Sequence, residues 1–120
     1  MCVLVVEDDA TLGAVFVQTL KKLGQNGELV TSGEEAIERF KNAEYALVLM
    51  DIGLPGKDGL EVTRELKKLG SDTAIVAVTA GYASPAQCKQ AGMDDYYVKP
   101  VMFDQLQKIV SKWSHGPCKR

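Results

Sequence analysis

Hydrophobic residues arrive along this chain in two rhythms. Short, nearly unbroken apolar runs alternate with longer stretches in which apolar residues recur every three to four positions. The short runs predict strands over residues 2–6, 27–30, 45–50, 74–78 and 95–98. Three of these are apolar almost throughout, as strands covered on both faces of a parallel sheet must be. Helical spacing fills the intervals. Leu12, Val15, Phe16, Thr19, Leu20 and Leu23 mark one face before Gly24 stops the pattern. Ser32-Gly33-Glu34-Glu35 reads as a capping box ahead of Ala36, Ile37 and Phe40. Asp58 caps a third helix with Val62, Leu66 and Leu69 facing inward. Ser84-Pro85-Ala86-Gln87 is a second capping box, with proline in the first turn. Leu106, Ile109, Val110 and Trp113 form the stripe of a last helix.

The order is strand then helix, five times over. Such alternation predicts a parallel sheet wrapped on both sides. A closed barrel needs eight strands, so the α/β class narrows to one open, doubly wound five-stranded sheet. Open sheets of this kind bind ligands at the carboxyl ends of their strands.

Those ends carry the chemistry. The first strand delivers Glu7, Asp8 and Asp9, and the third delivers Asp51 ahead of Ile52-Gly53-Leu54-Pro55-Gly56. The fourth ends on Val78-Thr79-Ala80-Gly81 and the fifth on Tyr96-Tyr97-Val98-Lys99-Pro100. Carboxylates gathered at one crevice repel unless a cation lies between them, so a divalent-ion site is expected. Other acids have plainer readings. Asp9 and Asp58 read as helix caps, Asp94 and Asp95 as turn and solvent acids, and Gly53 and Gly56 as turn glycines.

Charge and composition narrow the options further. A net charge of −2 provides no general attraction to nucleic acid or to an anionic membrane, so no nucleic-acid partner and no direct membrane contact are expected. No apolar run approaches the roughly 20 residues that span a bilayer, and no signal peptide is expected. Cys2, Cys88 and Cys118 form neither a metal spacing nor an even disulfide set. Reduced thiols and a cytoplasmic setting are the expectation. One domain is expected over residues 1–114, with residues 115–120, including His115, as a flexible tail.

The set Glu7-Asp8, Asp51 within Met50-Asp51-Ile52-Gly53-Leu54-Pro55-Gly56-Lys57-Asp58-Gly59, Thr79-Ala80 and Lys99-Pro100 resembles the receiver domain of two-component response regulators. The resemblance runs from about Val3 to Trp113. Ala91-Gly92-Met93-Asp94-Asp95-Tyr96 is similar to receivers of hybrid sensor histidine kinases. It implies the flavodoxin-like (βα)5 fold with strand order 2-1-3-4-5. It also implies that Asp51 accepts a phosphoryl group from a phosphohistidine. Asp8, Asp51 and the Gly53 carbonyl would hold Mg²⁺, or Mn²⁺ in its place, with Glu7 acting through water. Lys99 and Thr79 would bond the phosphoryl oxygens. The Lys99-Pro100 bond resembles the family's cis peptide, which aims the lysine inward. Thr79 and Tyr96 would form the switch that reshapes the surface of the fourth helix, fifth strand and fifth helix.

The partners so implied are a histidine kinase donor or a histidine phosphotransfer domain, docking on the first helix and the loops around Asp51. Leu12 or Val15 would supply the apolar contact. The chain would be a monomer or a weak, switch-dependent dimer. It would act as a phosphoacceptor without turnover on an outside substrate. A receiver excised from a hybrid kinase, the cytosolic part of a membrane-anchored protein, is expected over a stand-alone regulator. A haloacid-dehalogenase-like phosphatase would need a second aspartate where Gly53 stands. A flavin-binding module would need a hydroxyl-rich loop where Glu7-Asp8-Asp9 stands. A binding platform without chemistry would not need all four site residues. Gly53 and Gly81 depart from the larger side chains common in receivers, which implies a phosphoryl site open to water.

Overall fold

The computed structural model describes residues 3–70, 72–81 and 83–113. Cys2, Cys118, His115 and the expected tail over residues 115–120 lie outside them. Five strands and five helices alternate: β1 (Val3–Val6), α1 (Ala10–Lys22), β2 (Gly27–Val30), α2 (Gly33–Asn42), β3 (Leu47–Met50), α3 (Gly59–Lys68), β4 (Ala74–Thr79), α4 (Pro85–Ala91), β5 (Asp95–Val98) and α5 (Phe103–Trp113). All strand pairs are parallel, in the order β2-β1-β3-β4-β5, as expected.

Side-chain alternation divides the core in two. Val3, Val5, Leu47, Leu49, Val76 and Val78 pack beneath Phe16 and Leu20 of α1 and Leu106, Ile109 and Val110 of α5. Leu4, Val6, Val48, Met50, Ile75 and Ala77 face the other way, toward Ala36, Val62, Leu66 and Cys88 of α2, α3 and α4. Each residue step along a strand changes face, which is why the central strands are apolar throughout. β2 and β5 lie at the edges and are only partly buried.

Helix starts follow the expected caps. Asp9, Ser32, Asp58 and Ser84 accept the amides of Leu12, Glu35, Glu61 and Gln87. The box at Ser84 is complete, because Gln87 Oε1 accepts the Ser84 amide at 2.9 Å. The one at Ser32 is not. Glu35 Oε1 reaches one residue further back, to the Thr31 amide at 3.0 Å.

Four other expectations change. β3 begins at Leu47, not at Tyr45. Tyr45 stacks on Phe40 and donates its hydroxyl to Glu28 at 2.6 Å, and its carbonyl accepts the Thr73 hydroxyl. β4 runs one residue further, because Thr79 pairs with Val98. Leu69 follows α3 as its C-cap and is 46% exposed, since the helix ends before its turn can face the core. Val15 leaves the inward stripe of α1, where Phe16 and Leu20 fill the space, and is 55% exposed, as the expected apolar contact on that helix requires. No helix among the described residues is long and apolar enough to cross a membrane.

Candidate functional site

Backbone pairing brings the four strand ends together. The Glu7 amide donates to the Val30 carbonyl at 3.0 Å, carrying the β1–β2 ladder one residue past β1. The Asp51 amide donates to the Val6 carbonyl at 3.0 Å, so the two acids emerge side by side. On the other flank the Lys99 amide donates to the Thr79 carbonyl at 2.8 Å, and the Lys99–Pro100 peptide is cis. Asp51 sits on a closed loop in which the Gly59 amide donates to the Ile52 carbonyl at 2.9 Å. Gly59 is required there: a Cβ would lie 2.3 Å from the Asp51 carbonyl oxygen.

Glu7, Asp51 and Thr79 are buried, while Asp8 is exposed at the rim. Glu7, Asp8 and Asp51 each place a ligating oxygen within 4.8 Å of the others. Among the described residues one cation faces this group: Lys99 Nζ lies 2.6 Å from Glu7 Oε1 and 3.5 Å from Asp51 Oδ2. Burial pushes the Glu7 carboxyl up to about 7, against the Lys99 and Asp9 hydrogen bonds that favour the charged form, and the Asp51 charge adds to the rise. Burial alone would lower the Lys99 ammonium, but the Glu7 and Asp51 carboxylates outweigh it and hold the lysine charged.

The site is thus three carboxylates with one ammonium, an excess of negative charge at a partly open rim. Hard oxygen ligands in this number suit a small divalent cation that keeps several waters. Glu7, Asp8 and Asp51 therefore fit Mg²⁺ as a donor set. The Gly53 amide leans on Asp51 Oδ1 at 3.2 Å, which leaves its carbonyl unengaged by that contact. Thr79 Oγ1 accepts the Gly81 amide at 3.3 Å and keeps its own proton to donate. Tyr96 is half-buried, with its hydroxyl donated to the Ala83 carbonyl at 2.9 Å.

Every expected site residue is therefore placed at the carboxyl end of the sheet, except that Tyr96 stands two residues before the end of β5, with its hydroxyl on the Ala83 carbonyl ahead of α4. The Glu7–Lys99 pair was not foreseen in the sequence. Their 92-residue separation carries no local signal.

An open parallel sheet in this order, with an acidic carboxyl end faced by Lys99, defines an α/β module with a candidate divalent-cation site. The Response regulator receiver domain family matches residues 3–111, and the chain belongs to that family. The chain is 37% identical over 109 residues to the two-component response regulator PhoP of Pseudomonas aeruginosa, covering 89% of this chain and 48% of that protein. It is 37% identical over 115 residues to the aerobic respiration control sensor protein ArcB of Escherichia coli, covering 92% of this chain and 15% of ArcB. It thus spans about half of the first relative and a small part of the second. The receiver domain of sensor histidine kinase PA1611 from Pseudomonas aeruginosa, solved with a magnesium ion in its active-site cleft, superposes with a TM-score of 0.85. That match has 35% identity and covers 95% of this chain and 97% of the other. The chain is a receiver domain of two-component signalling. Receiver domains take phosphate from histidine kinases or phosphotransfer domains.

Proposed function

We propose that Asp51 is the phosphoacceptor of this chain and that Glu7, Asp8 and Asp51 form its Mg²⁺ site. The observation that carries the reading is the meeting of three carboxylates with Lys99 at the ends of three strands. Bound Mg²⁺ would supply the positive charge that lets a carboxylate approach an anionic phosphoryl group. The Gly53 carbonyl completes the proposed protein ligands, and Glu7 acts through water. An Asp51 carboxylate oxygen attacks phosphorus, and the bond from phosphorus to the donor histidine nitrogen breaks. The histidine leaves with the electron pair as neutral imidazole, because the other ring nitrogen of the phosphohistidine carries a proton when the bond breaks. Lys99, now 3.5 Å from Asp51, follows the charge onto a phosphoryl oxygen. The Thr79 hydroxyl donates to another. Water later cleaves the acyl phosphate, so the chain promotes its own phosphorylation and dephosphorylation without turning over an outside substrate.

The switch in this reading joins Thr79 to Tyr96. Movement of the Thr79 hydroxyl toward the phosphate frees space beside Tyr96, whose hydroxyl is tied to the loop ahead of α4. The surface of α4, β5 and α5 then changes shape, in a monomer or a weak dimer formed on switching. The donor is the phosphohistidine of a kinase or phosphotransfer domain, docking near the exposed Val15 of α1. The sensor-protein relatives favour a receiver within a hybrid kinase. A stand-alone regulator is the second reading, supported by the two-component response regulator 24 of Arabidopsis thaliana, which is 30% identical and is covered over 81% of its length. The proposed setting is cytoplasmic in either case.

Incubation with acetyl phosphate and Mg²⁺, read by intact mass, tests the reading. The chain should gain one phosphate only with Mg²⁺, and Asp51→Asn should gain none. Equal phosphate on the Asp51→Asn variant would refute it.

A further inference from the structure

Gly33, at the first position of α2, approaches its neighbours more closely than any side chain would permit. A Cβ there would lie 2.4 Å from Val62 Cγ2, 3.1 Å from the Lys57 carbonyl oxygen and 3.4 Å from Lys57 Cβ. Val62 is wholly buried on α3. A β-branched residue in a helix has one dominant rotamer, so this methyl cannot turn aside. The same short stretch of chain carries the second close approach, where Gly59 meets the Asp51 carbonyl and Ile52 Cα. Ile52 and Leu54 are both buried, so the loop has little freedom to yield on its inner side. A continuous line of hard contacts therefore runs from the start of α2, through Lys57 and Val62, to the backbone of Asp51. Close-packed contacts of this kind transmit displacement instead of absorbing it.

We propose that Gly33 is a positioning residue for the phosphoacceptor loop: the approach of α2 to Lys57 and Val62 sets where Asp51 and the Gly53 carbonyl stand relative to Asp8. The proposal rests on the Mg²⁺-dependent phosphoacceptor reading and adds a determinant that touches neither metal nor phosphate. Gly33→Ala inserts one methyl group and no charge. It must push residues 57–59 outward and so widen the donor set.

Calorimetric titration of the full chain with Mg²⁺ is the test, with thermal melting measured beside it. Leu20→Ala is the control. Leu20 is wholly buried beneath α1 in the opposite core, so emptying that position lowers stability without touching the loop. Gly33→Ala should weaken Mg²⁺ about tenfold, the lower end of the effect of disturbing groups that orient metal ligands. Leu20→Ala should stay within about twofold of the unmodified chain, as distant sites do. Equal Mg²⁺ affinity in Gly33→Ala and Leu20→Ala would overturn the proposal.

A second measurement needs no variant and covers failure of Gly33→Ala to fold. Coupling between two sites is reciprocal, so Mg²⁺ titrated into the unmodified chain should shift the Gly33 and Lys57 amide resonances with one midpoint. A Gly33 resonance that stays fixed while Asp51 and Gly53 shift would overturn the proposal and leave the phosphoacceptor reading standing. An unmodified chain that binds no Mg²⁺ would remove both.

Discussion

Acids are concentrated at both ends of this sheet, and the two ends treat them in opposite ways. At the carboxyl end, Glu7, Asp8 and Asp51 share one lysine. At the amino end, Asp94 accepts the Ile75 amide at 2.9 Å and lies 3.6 Å from Lys67 Nζ. Asp95 accepts Trp113 Nε1 at 3.0 Å, the Tyr97 hydroxyl at 3.3 Å and the Tyr96 amide at 3.0 Å, with Lys112 Nζ 3.7 Å away. Burial would raise the Asp95 carboxyl, but these donors outweigh it and hold the group below its usual range. Glu7, the more deeply buried of the two, goes the other way, to about 7, chiefly through that burial. Donors matched to an acid make it a fastener. Acids in excess of donors make a site that an outside cation can complete. Asp94 and Asp95, expected as turn and solvent acids, are fasteners that tie α5 and α3 to β4 and β5.

The largest effect should come from removing Lys99, the cation that faces the acidic end among the described residues. Lys99→Ala leaves Glu7 and Asp51 facing each other and removes the donor that the proposed mechanism directs to a phosphoryl oxygen. Loss of one such donor costs about 10²-fold in rate, so phosphorylation by acetyl phosphate should slow by that order. A rate within about twofold of the unmodified chain would place Lys99 among the structural contacts instead.

The pH response separates the two ends next. The folded, metal-free chain keeps a proton on Glu7 up to about 7, whereas the unfolded chain releases it near the ordinary 4.5. The folded state binds more protons in this window, so stability falls as pH rises through it, by on the order of 3 kcal/mol. Thermal melting of the metal-free chain should therefore decline across that interval, and Mg²⁺, which needs the carboxylate, should reverse the decline. For Asp95 the sign is opposite. Its contribution is present above the unfolded carboxylate value and is lost as pH falls through the lowered folded value. A melting temperature that rises through the Glu7 window would contradict the assignment.

Asp95→Ala should lower stability by about 2 kcal/mol, since it strands the Trp113 and Tyr97 donors. The initial phosphorylation rate should hardly change, as measured by intact mass over time. A lost phosphorylation rate with unchanged melting would reverse the contrast drawn here. The smallest expected effect is at the rim, where Gly53 is exposed. Gly53→Arg should alter the rate of phosphate loss without altering melting, read by decay of the phosphorylated mass. An unchanged decay would mean that access at this position does not govern hydrolysis.

Much of this contrast was legible in the sequence at the carboxyl end and little of it at the amino end. Apolar runs that stop on acids announce strand ends, and the alternation of strand and helix brings those ends together. That placed Glu7, Asp8, Asp51, Thr79 and Lys99 without coordinates. Asp94 and Asp95 gave no such signal, because their partners Ile75 and Trp113 lie 18 or 19 residues away. The ring of Tyr45 continues the apolar run toward β3, but its hydroxyl serves Glu28 and its ring serves Phe40. Leu69 continued the helical spacing of α3 past the point where the helix ends. Gly33 looked like an ordinary first residue of a helix, and only the placement of Val62 reveals how little room it has.

The most direct measurement is a Mg²⁺ titration followed at the side-chain carboxyl carbons by NMR. The account predicts that Asp8, Asp51 and Glu7 shift together with one midpoint, while Asp94 and Asp95 stay where they are. Movement of Asp94 and Asp95 with that midpoint, or fixed resonances at Asp8 and Asp51, would contradict it.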